Sequence, residues 1–313
     1  MEFRHVGASG LVVSSIGLGT NNLGIKLDAD QSRAVVHAAL DAGITLIDTS
    51  DSYGRSEERL GELIAGTRDD LVLATKFGMD VRRLGGDNGE DWGARGSRRY
   101  IRRAVESSLR RLRTEWIDLY QFHKPDPGTP ILETLETLDD LVREGKVRYI
   151  AHSNFSGFLT ADAQWTARAH RITPFIADQS RYSLLDRGVE TELIPALQHY
   201  GMSLIPHSPL AGGLLSGKYR RGQPAPADSR VAVLRQQAVL TDPTFDRLEA
   251  IERFAADRER SMLEVALGWL VAQPVVASVV VGATSPSQLS DNLAAAEWRP
   301  SAEDLAELDA STR

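Results

Sequence analysis

The chain has 313 residues, of which 42% are hydrophobic, and it carries a formal net charge of −7 at pH 7. A chain of this length can bury one large core, so we expect a single domain that spans residues 1–313. The lack of cysteine excludes disulfides, thiolate catalysis and cysteine-ligated zinc, and the negative charge argues against a general nucleic-acid binder.

The first residues carry charged and small side chains rather than a signal-peptide pattern. The longest apolar stretch, Val275 to Ala283, is far shorter than the roughly 20 residues that a membrane helix needs. We therefore expect a cytoplasmic protein without membrane contact. Met1 to Ser14 is typical of a short hairpin with Gly7 and Gly10 at its turn. The seven histidines lack metal-ligand spacing, so no metal is expected.

Short apolar runs alternate with amphipathic helical stretches along the whole chain, and eight such units favour an α/β protein with a (β/α)8 TIM barrel. The barrel would have a short N-terminal β-hairpin cap and long βα loops. One helix is indicated by Ile101, Val105, Leu109 and Leu112, and another by Ile131, Leu135, Leu138 and Leu141. The predicted strands are Ile16 to Leu18, Thr45 to Ile47, Leu71 to Ala74, Ile117 to Phe122, Val147 to Ala151, Phe175 to Ala177, Ser203 to Ile205 and Val279 to Val281.

The competing fold is an open doubly wound sheet, which carries the dinucleotide fingerprint G-x-G-x-x-G in its first strand-to-helix turn. Residues 17–22 read GLGTNN, without the third glycine. The barrel is therefore the preferred fold, and its active site should lie at the carboxyl ends of the strands.

Three predicted strands end beside residues that suit carbonyl chemistry. Asp48 follows one strand, Lys76 follows the next and His123 follows the third. Tyr53 comes five residues after Asp48. Each residue alone has an ordinary structural interpretation, but their combined position at strand ends favours a catalytic site.

A carbonyl that accepts hydride develops alkoxide charge, so a proton donor must lie beside its oxygen. Tyrosine is a weak donor, with a pKa of about 10. A buried Lys76 ammonium would lower the pKa of Tyr53, and Asp48 would keep the lysine charged. His123 could donate a hydrogen bond to the same oxygen. The four residues together predict carbonyl reduction.

These residues, with SSIGLGTNNLG near the start and VVVGATSPSQLSDNLAAAE near the end, resemble the aldo-keto reductase family over nearly the whole chain. The resemblance implies a barrel that binds an extended nicotinamide cofactor without a Rossmann fold. It also implies that Tyr53 is the general acid and that Asp48, Lys76 and His123 complete a catalytic tetrad. The branch it resembles holds NADPH-dependent reductases related to potassium-channel β subunits.

The resemblance further implies cofactor contacts from Thr20 and Asp48 near the nicotinamide ribose. Ser153, Asn154 and Gln179 match a carboxamide-binding set, and amide side chains suit a carboxamide because each offers a donor and an acceptor. The other implied cofactor-binding residues are Gly19, Asn21, His207, Ser208, Pro209, Leu210, Gly212, Lys218, Arg230, Gly282, Ser285, Gln288, Asp291 and Asn292.

Lys218 and Arg230 match the positions that hold the 2′-phosphate of NADPH in that branch, and two cations would favour NADPH over NADH. The alternative is a solvated basic loop. Thr284 departs from the pattern, since many relatives carry a basic residue there. Gly212 to Lys218 also reads GxxxxGK, but Tyr219 replaces the magnesium-binding hydroxyl of a P-loop.

A second departure is His207 in IPHSPL, where the family usually has a tyrosine or tryptophan beneath the nicotinamide ring. Imidazole stacks over a smaller area. We hypothesise that His207 loosens this pocket and that its protonation would disfavour the cationic NADP⁺ more than NADPH. Ordinary packing without a redox role is the alternative.

Asn22, Met79 and Trp92 are candidate substrate-pocket residues from their loop positions, although each could equally serve loop packing. Arg95 to Arg113 holds eight arginines, but its apolar residues keep one face, which favours a solvated outer helix over nucleic-acid contact. The sequence does not predict an oligomeric state.

The sequence predicts an NADPH-dependent reductase that acts on a small-molecule aldehyde or ketone. One alternative is a nucleotide-binding sensor or regulatory subunit on the same fold. Another is a barrel isomerase or aldolase with Lys76 as a Schiff-base nucleophile.

Overall fold

The computed structural model describes residues 1–82, 87–227, 229–233 and 236–312, and the side chain of Arg230 lies outside the described part. The strands are β1 (Phe3–His5), β2 (Val12–Ser14), β3 (Ile16–Gly19), β4 (Leu46–Asp48), β5 (Val72–Phe77), β6 (Ile117–Phe122), β7 (Val147–Ser153), β8 (Ala177–Gln179), β9 (Ser203–Leu204) and β10 (Val279–Gly282). The helices are α1 (Asn21–Ile25), α2 (Ala29–Asp41), α3 (Ser56–Leu63), α4 (Arg98–Leu112), α5 (Ile131–Arg143), α6 (Gly157–His170), α7 (Leu193–Tyr200), α8 (Arg230–Val233), α9 (Asp242–Asp257), α10 (Met262–Val271), α11 (Pro286–Ala295) and α12 (Ala302–Thr312).

Strands β3 to β10 form a parallel eight-stranded sheet in the order β10-β3-β4-β5-β6-β7-β8-β9. The two ends of this order meet, because Leu204 of β9 exchanges backbone hydrogen bonds with the residues that lead into β10. Helices lie between successive strands and cover the outside. The predicted (β/α)8 barrel is confirmed, and all its carboxyl strand ends open on one face.

Several strands run further than their apolar residues predicted. Strand β4 includes Asp48, β5 includes Lys76 and β7 includes Ser153. The predicted run Phe175 to Ala177 overlaps β8 only at Ala177, because β8 begins at that residue and continues through Gln179. Polar residues continue these strands because their side chains meet each other inside the barrel, a partnership that hydropathy does not reveal.

The predicted N-terminal hairpin is present, with β1 and β2 paired antiparallel. Val6, Leu11 and Val13 are buried in one cluster with barrel-lining residues such as Leu46 and Ala151. The hairpin therefore closes the barrel at the end opposite the carboxyl strand ends. Gly7 is required in its turn, because it has a φ of +56° and a Cβ there would lie 2.4 Å from a backbone oxygen.

The arginine-rich helix α4 buries the apolar face that its spacing predicted, including Ile101 and Val105. Two of its arginines pair with carboxylates of α5 and of the residue that ends it. Arg98 Nη1 lies 2.5 Å from Asp140 Oδ2, and Arg102 Nη1 lies 2.5 Å from Glu144 Oε1. These arginines are engaged by neighbouring carboxylates. Within the described ranges, no helix is long and apolar enough to cross a membrane.

A buried ion pair ties α3 to α4 beneath the site. Glu57 is 1% exposed, and its carboxylate accepts hydrogen bonds from Arg111 Nε at 2.7 Å and from Thr75 Oγ1 at 2.6 Å. A buried carboxylate that loses its cation keeps its desolvation cost without compensation. The pair therefore contributes little net stability, but the loss of one partner would destabilise the fold strongly.

We expect Arg111→Gln to lower the free energy of unfolding by about 3 kcal/mol, because it leaves the Glu57 carboxylate buried without a cation. Arg113→Gln is the matched control, since Arg113 pairs with Glu62 at the surface and both side chains are more than half exposed. That variant should cost less than about 1 kcal/mol. Equal losses in urea denaturation of the two variants would contradict this expectation.

Candidate active site

An ion pair inside the barrel mouth is the centre of the site. Lys76 Nζ lies 2.6 Å from Asp48 Oδ2 and donates a second hydrogen bond to the Thr49 carbonyl oxygen at 2.9 Å. The Lys76 side chain has no exposed surface. Burial by itself would lower the pKa of Lys76, but its electrostatic and hydrogen-bond interactions with Asp48 and Tyr53 together outweigh it and the pKa is raised. The lysine is therefore an ammonium at neutral pH.

Two amides from neighbouring strands hold the other oxygen of Asp48. Gln121 Nε2 donates to Asp48 Oδ1 at 2.9 Å and Gln179 Nε2 donates to the same oxygen at 2.8 Å. All three side chains are buried. Gln121 was not predicted as a site residue, although it lies in β6 two residues before His123, a spacing that places both side chains on the same face of the chain.

Tyr53 and His123 lie above this ion pair. The Lys76 ammonium is 5.0 Å from the centroid of the Tyr53 ring, and the rings of Tyr53 and His123 meet edge to face at 6.0 Å between centroids. Tyr53 reaches this place because its backbone N–H donates to the Ser50 carbonyl oxygen in a turn that follows β4. The structure thus brings the four predicted catalytic residues together.

The pKa of Tyr53 differs from the sequence-based expectation. Burial raises it above 10, and the Lys76 ammonium opposes this shift without reversing it, while Asp48 adds to it. The expected net lowering by Lys76 is therefore wrong for this structure, because the desolvation of a phenolate outweighs one ammonium that Asp48 already neutralises. Tyr53 is a protonated phenol at neutral pH.

His123 is neutral in this environment. Burial lowers its pKa well below 6.5, and the nearby charges of Lys76, His207 and Lys124 lower it further. Ser50 Oγ lies 3.1 Å from His123 Nδ1, and the backbone N–H of His123 donates to the Phe77 carbonyl oxygen at 2.8 Å. The ring is thus held from the β6 end, and among the residues that the structure describes none makes a hydrogen bond with Nε2.

The residues predicted to hold the carboxamide lie together at the ends of β7 and β8. Ser153 Oγ donates to the Gln179 carbonyl oxygen at 2.5 Å, and Asn154 Nδ2 donates to Ser153 Oγ at 2.9 Å. Asn154 has a φ of +60°, in the left-handed region that asparagine tolerates. Within the described part of the chain, neither the Asn154 nor the Gln179 amide oxygen accepts a hydrogen bond.

Gly19 and Thr20 lie beside Asp48. Gly19 pairs with Asp48 on one side and with Gly282 on the other, so three predicted residues share one level of the sheet. Thr20 is buried, and its hydroxyl donates to the Asp48 carbonyl oxygen at 2.9 Å. Asn21 begins α1 immediately afterwards.

His207 lies after β9 and is half-buried, next to Ser208 and Pro209. Its Nδ1 is 3.1 Å from Ser208 Oγ, and its backbone N–H donates to the Ser180 carbonyl oxygen. Burial, with the charges of Lys76 and Arg181, lowers the pKa of His207 to about 4. Any effect of its protonation on NADP⁺ binding is thereby moved to about pH 4, well below the neutral range.

Leu210 and Gly212 lie in the loop that follows, and Gly212 has a φ of +71° within the 3₁₀ segment Ala211–Ser216. Lys218 is exposed beyond this segment. The predicted partner of Lys218, Arg230, begins α8, but its side chain lies outside the described residues.

The remaining predicted cofactor residues surround the start of α11. Ser285 caps this helix by accepting from the Gln288 backbone N–H at 3.2 Å. Gln288 Oε1 accepts from the Thr284 backbone N–H at 2.8 Å. Asp291 is exposed, whereas Asn292 is buried and donates to the Gly282 carbonyl oxygen at 3.5 Å. Gly282 thus connects this helix to the level of Asp48.

The three candidate pocket residues differ in position. Asn22 Nδ2 donates to the Ala283 carbonyl oxygen at 3.3 Å, which places Asn22 at the rim of the barrel. The Met79 carbonyl oxygen accepts from the Tyr100 hydroxyl at 3.3 Å. Trp92 is 75% exposed and lies 3.8 Å beneath the Arg99 guanidinium. Only Asn22 is tied to a strand end by the contacts of the described residues.

A buried polar group beside the site was not predicted. Asp51 is 3% exposed, and its Oδ2 accepts from Asn88 Nδ2 at 2.8 Å. Burial, helped by the Glu57 charge, raises the pKa of Asp51 to about 8, although Arg111 opposes the shift. In the sequence, Asp51 reads as a turn residue between Asp48 and Tyr53, and its partner Asn88 lies in a distant loop.

Comparison with known proteins agrees with this geometry. The model of the Aldo/keto reductase family matches residues 15–313. The chain is 33% identical over 311 residues to an L-glyceraldehyde 3-phosphate reductase of Escherichia coli K12, covering 94% of the chain and 87% of the relative. It is 33% identical to the aldo-keto reductase YhdN of Bacillus subtilis, covering 99% of the chain and 93% of that protein. It is 32% identical to a probable voltage-gated potassium channel subunit beta of rice, Oryza sativa subsp. japonica, covering 96% and 92%.

We expect Asp51→Asn to flatten the pH dependence of stability. A carboxyl whose pKa is raised on folding stays protonated after the unfolded chain has lost its proton, so stability falls as pH rises between about 4 and 8. The wild-type slope from this group should be on the order of 1 kcal/mol per pH unit, and the amide cannot ionise.

Urea denaturation at pH 5, 6.5 and 8 measures this slope. Asp162→Asn, at an exposed position of α6, is the control that should keep the wild-type slope. If Asp51→Asn also keeps the wild-type slope, the hypothesis that Asp51 is a neutral buried carboxyl is wrong.

Proposed function

The chain belongs to the aldo/keto reductase family, and we propose that it reduces an aldehyde or ketone to an alcohol with NADPH as the hydride source. The observation that carries this proposal is the buried Lys76–Asp48 pair beneath the Tyr53 ring, with the His123 ring beside it. This arrangement suits a reaction in which negative charge develops on a carbonyl oxygen next to a phenol.

The proposed roles follow from the protonation states of the four residues. Tyr53 keeps its proton at neutral pH and so can give it to the alkoxide as that charge forms. Lys76 remains an ammonium because Asp48 compensates it, and it stabilises the tyrosinate that is left. His123 is neutral and can donate a hydrogen bond through Nε2 to orient the carbonyl.

The charge state of Lys76 argues against the Schiff-base alternative. A lysine nucleophile must present a free amine, usually through a lowered pKa in an apolar pocket. Here the pKa of Lys76 is raised and the ammonium donates to both Asp48 and Thr49. A deprotonated Lys76 would break these interactions, so an isomerase or aldolase mechanism at this lysine is disfavoured.

The residues at the barrel mouth fit a nicotinamide cofactor. The amide oxygens of Asn154 and Gln179 accept no hydrogen bond within the described ranges, which suits the NH₂ group of a carboxamide. The open, positive-φ Gly212 leaves room along the loop that resembles the pyrophosphate segment. NADPH, when bound, supplies the hydride. The chain's own residues bind it, orient the carbonyl and deliver the proton.

The preference for NADPH rests on Lys218 and Arg230. Lys218 is exposed and available to a phosphate monoester, and charge-assisted hydrogen bonds to phosphate are stronger than neutral ones. Ser285 and Gln288 lie at the amino terminus of α11, where backbone N–H groups favour an anion or an adenine edge. We propose NADPH over NADH on these grounds.

A regulatory role is the alternative, and the rice relative named as a probable channel subunit beta favours considering it. A nucleotide-binding sensor would keep the same four residues but turn over very slowly. Steady-state reduction of an activated aromatic aldehyde distinguishes the two functions, because a sensor binds NADPH without sustained oxidation.

We expect Tyr53→Phe to lower the rate of carbonyl reduction by about 10²- to 10⁴-fold, because the phenyl ring keeps the packing and removes the proton donor. NADPH oxidation after addition of 4-nitrobenzaldehyde measures this loss. NADPH affinity, followed by fluorescence titration, should stay near the wild-type value. Wild-type turnover in Tyr53→Phe would exclude Tyr53 as the general acid.

We expect Lys218→Ala to weaken NADPH binding by about tenfold and to leave NADH binding nearly unchanged, since only NADPH carries the 2′-phosphate. Titration of one variant with both cofactors provides an internal control for folding. Arg181→Ala, an exposed arginine beside His207, is a matched charge control and should not change the ratio of the two affinities. A parallel loss for both cofactors would place Lys218 outside the phosphate site.

A further inference from the structure

A chain of hydrogen-bonding groups leads from His123 to the buried Asp51. Ser50 Oγ lies 3.1 Å from His123 Nδ1 and 3.3 Å from Asp51 Oδ1. We propose that Ser50 and Asp51 are positioning residues that set the tautomer of His123, so that the proton on Asp51 decides whether His123 Nε2 donates or accepts a hydrogen bond. The catalytic consequence rests on the proposed role of His123 as a donor to the substrate oxygen.

Ser50 is the residue that joins Asp51 to His123. Its hydroxyl has one hydrogen and two acceptor sites. The Ser52 backbone N–H donates to Ser50 Oγ at 3.2 Å and occupies one acceptor site in every protonation state. One hydrogen and one acceptor site remain for His123, for Asp51 and for Ser52 Oγ, which lies at 2.9 Å. The direction of the link between Asp51 and His123 is therefore coupled at Ser50.

With Asp51 protonated, the link runs from Asp51 to His123. Asp51 Oδ2 accepts from Asn88 Nδ2, so the acid proton belongs on Oδ1, which faces Ser50. Asp51 then donates to Ser50 Oγ, and Ser50 donates to His123 Nδ1. A neutral imidazole whose Nδ1 accepts carries its hydrogen on Nε2. In this state Nε2 is the donor that a carbonyl oxygen needs.

With Asp51 ionised, the link reverses. The carboxylate only accepts, so Ser50 donates to Asp51 Oδ1. In the proposed link, the remaining acceptor site of Ser50 takes the hydrogen from His123 Nδ1, in competition with the Ser52 hydroxyl at 2.9 Å. The imidazole is neutral as before, but its Nε2 now presents a lone pair. This lone pair repels a carbonyl oxygen and cannot donate a hydrogen bond to it, so the orientation of the substrate is lost.

The surroundings keep this titration within an accessible pH range. Glu57 from α3 and Arg111 from α4 act on Asp51 with opposite sign, and burial is the largest influence on its pKa of about 8. Asp51 also acts on the hydroxyls of Tyr53, Tyr100 of α4 and Tyr120 of β6, whose pKa values are all raised and which stay protonated. From β5, the Lys76 carbonyl oxygen accepts from the Asp51 backbone N–H.

The first test is a direct observation of the tautomer. In protein with ¹⁵N-labelled histidine, the two ring nitrogens of His123, assigned by their loss in His123→Gln, report which one carries the hydrogen. We expect the hydrogen to move from Nε2 to Nδ1 as the pH rises through about 8. A tautomer that stays constant from pH 6 to 10 would overturn the proposal.

Variants isolate the two positioning residues. Asp51→Asn cannot ionise, and with its amide oxygen accepting from Asn88 its NH₂ group faces Ser50, so His123 should keep the Nε2–H form at all pH values. Ser50→Ala breaks the link and should abolish the pH-dependent change even if Asp51→Asn fails to fold. Ser52→Ala is the matched control and should preserve it, because its backbone N–H remains. A switch that persists in Ser50→Ala or Asp51→Asn contradicts the proposal.

Kinetics give the second readout. With saturating NADPH, wild-type kcat/KM for a carbonyl substrate should fall by about tenfold or more above pH 8, as expected for the loss of one donor to the developing oxyanion. Asp51→Asn should lack this alkaline decline. A tautomer switch in a protein without carbonyl turnover supports the link and counts against the proposed function. Tyr53-dependent turnover with a constant tautomer supports the proposed function and counts against the link.

Discussion

The buried ion pair between Lys76 and Asp48 is the interaction on which the rest of the site depends. An ammonium without exposed surface is tolerable only beside a carboxylate, and that carboxylate in turn needs the amides of Gln121 and Gln179 on its second oxygen. Four strands of one closed sheet supply these groups. The barrel therefore holds the paired ammonium of Lys76 at a fixed position beneath Tyr53.

The strand ends explain how one fold can be both a packed core and a polar site. Inside the barrel, apolar residues such as Ala74, Leu119 and Ala151 form the layer that the hairpin closes from below. Two residues further along the same strands, on the same face, the side chains are Lys76, Gln121 and Ser153. The change from apolar to polar occurs within continuous hydrogen-bonded strands, so these polar side chains inherit the rigidity of the sheet.

Around this centre lies a second polar layer that connects the site to the outer helices. Ser50 contacts His123, Asp51 contacts Asn88, and Arg111 joins Asn88 to the buried Glu57. Within this layer, burial, helped by the nearby Glu57 charge, raises the pKa of Asp51. Its groups stabilise the positions of Tyr53 and His123 from behind.

The sequence by itself determined the barrel, the hairpin and the four residues that meet at its mouth, because apolar periodicity and position after a strand are local properties. The tertiary structure alone revealed Gln121 as a partner of Asp48, the link from His123 through Ser50 to Asp51, and the raised pKa of Tyr53. These depend on which strands become neighbours and on how deeply a side chain is buried. Asn88 contacts Asp51 across 37 positions of the chain. No local pattern carries that information.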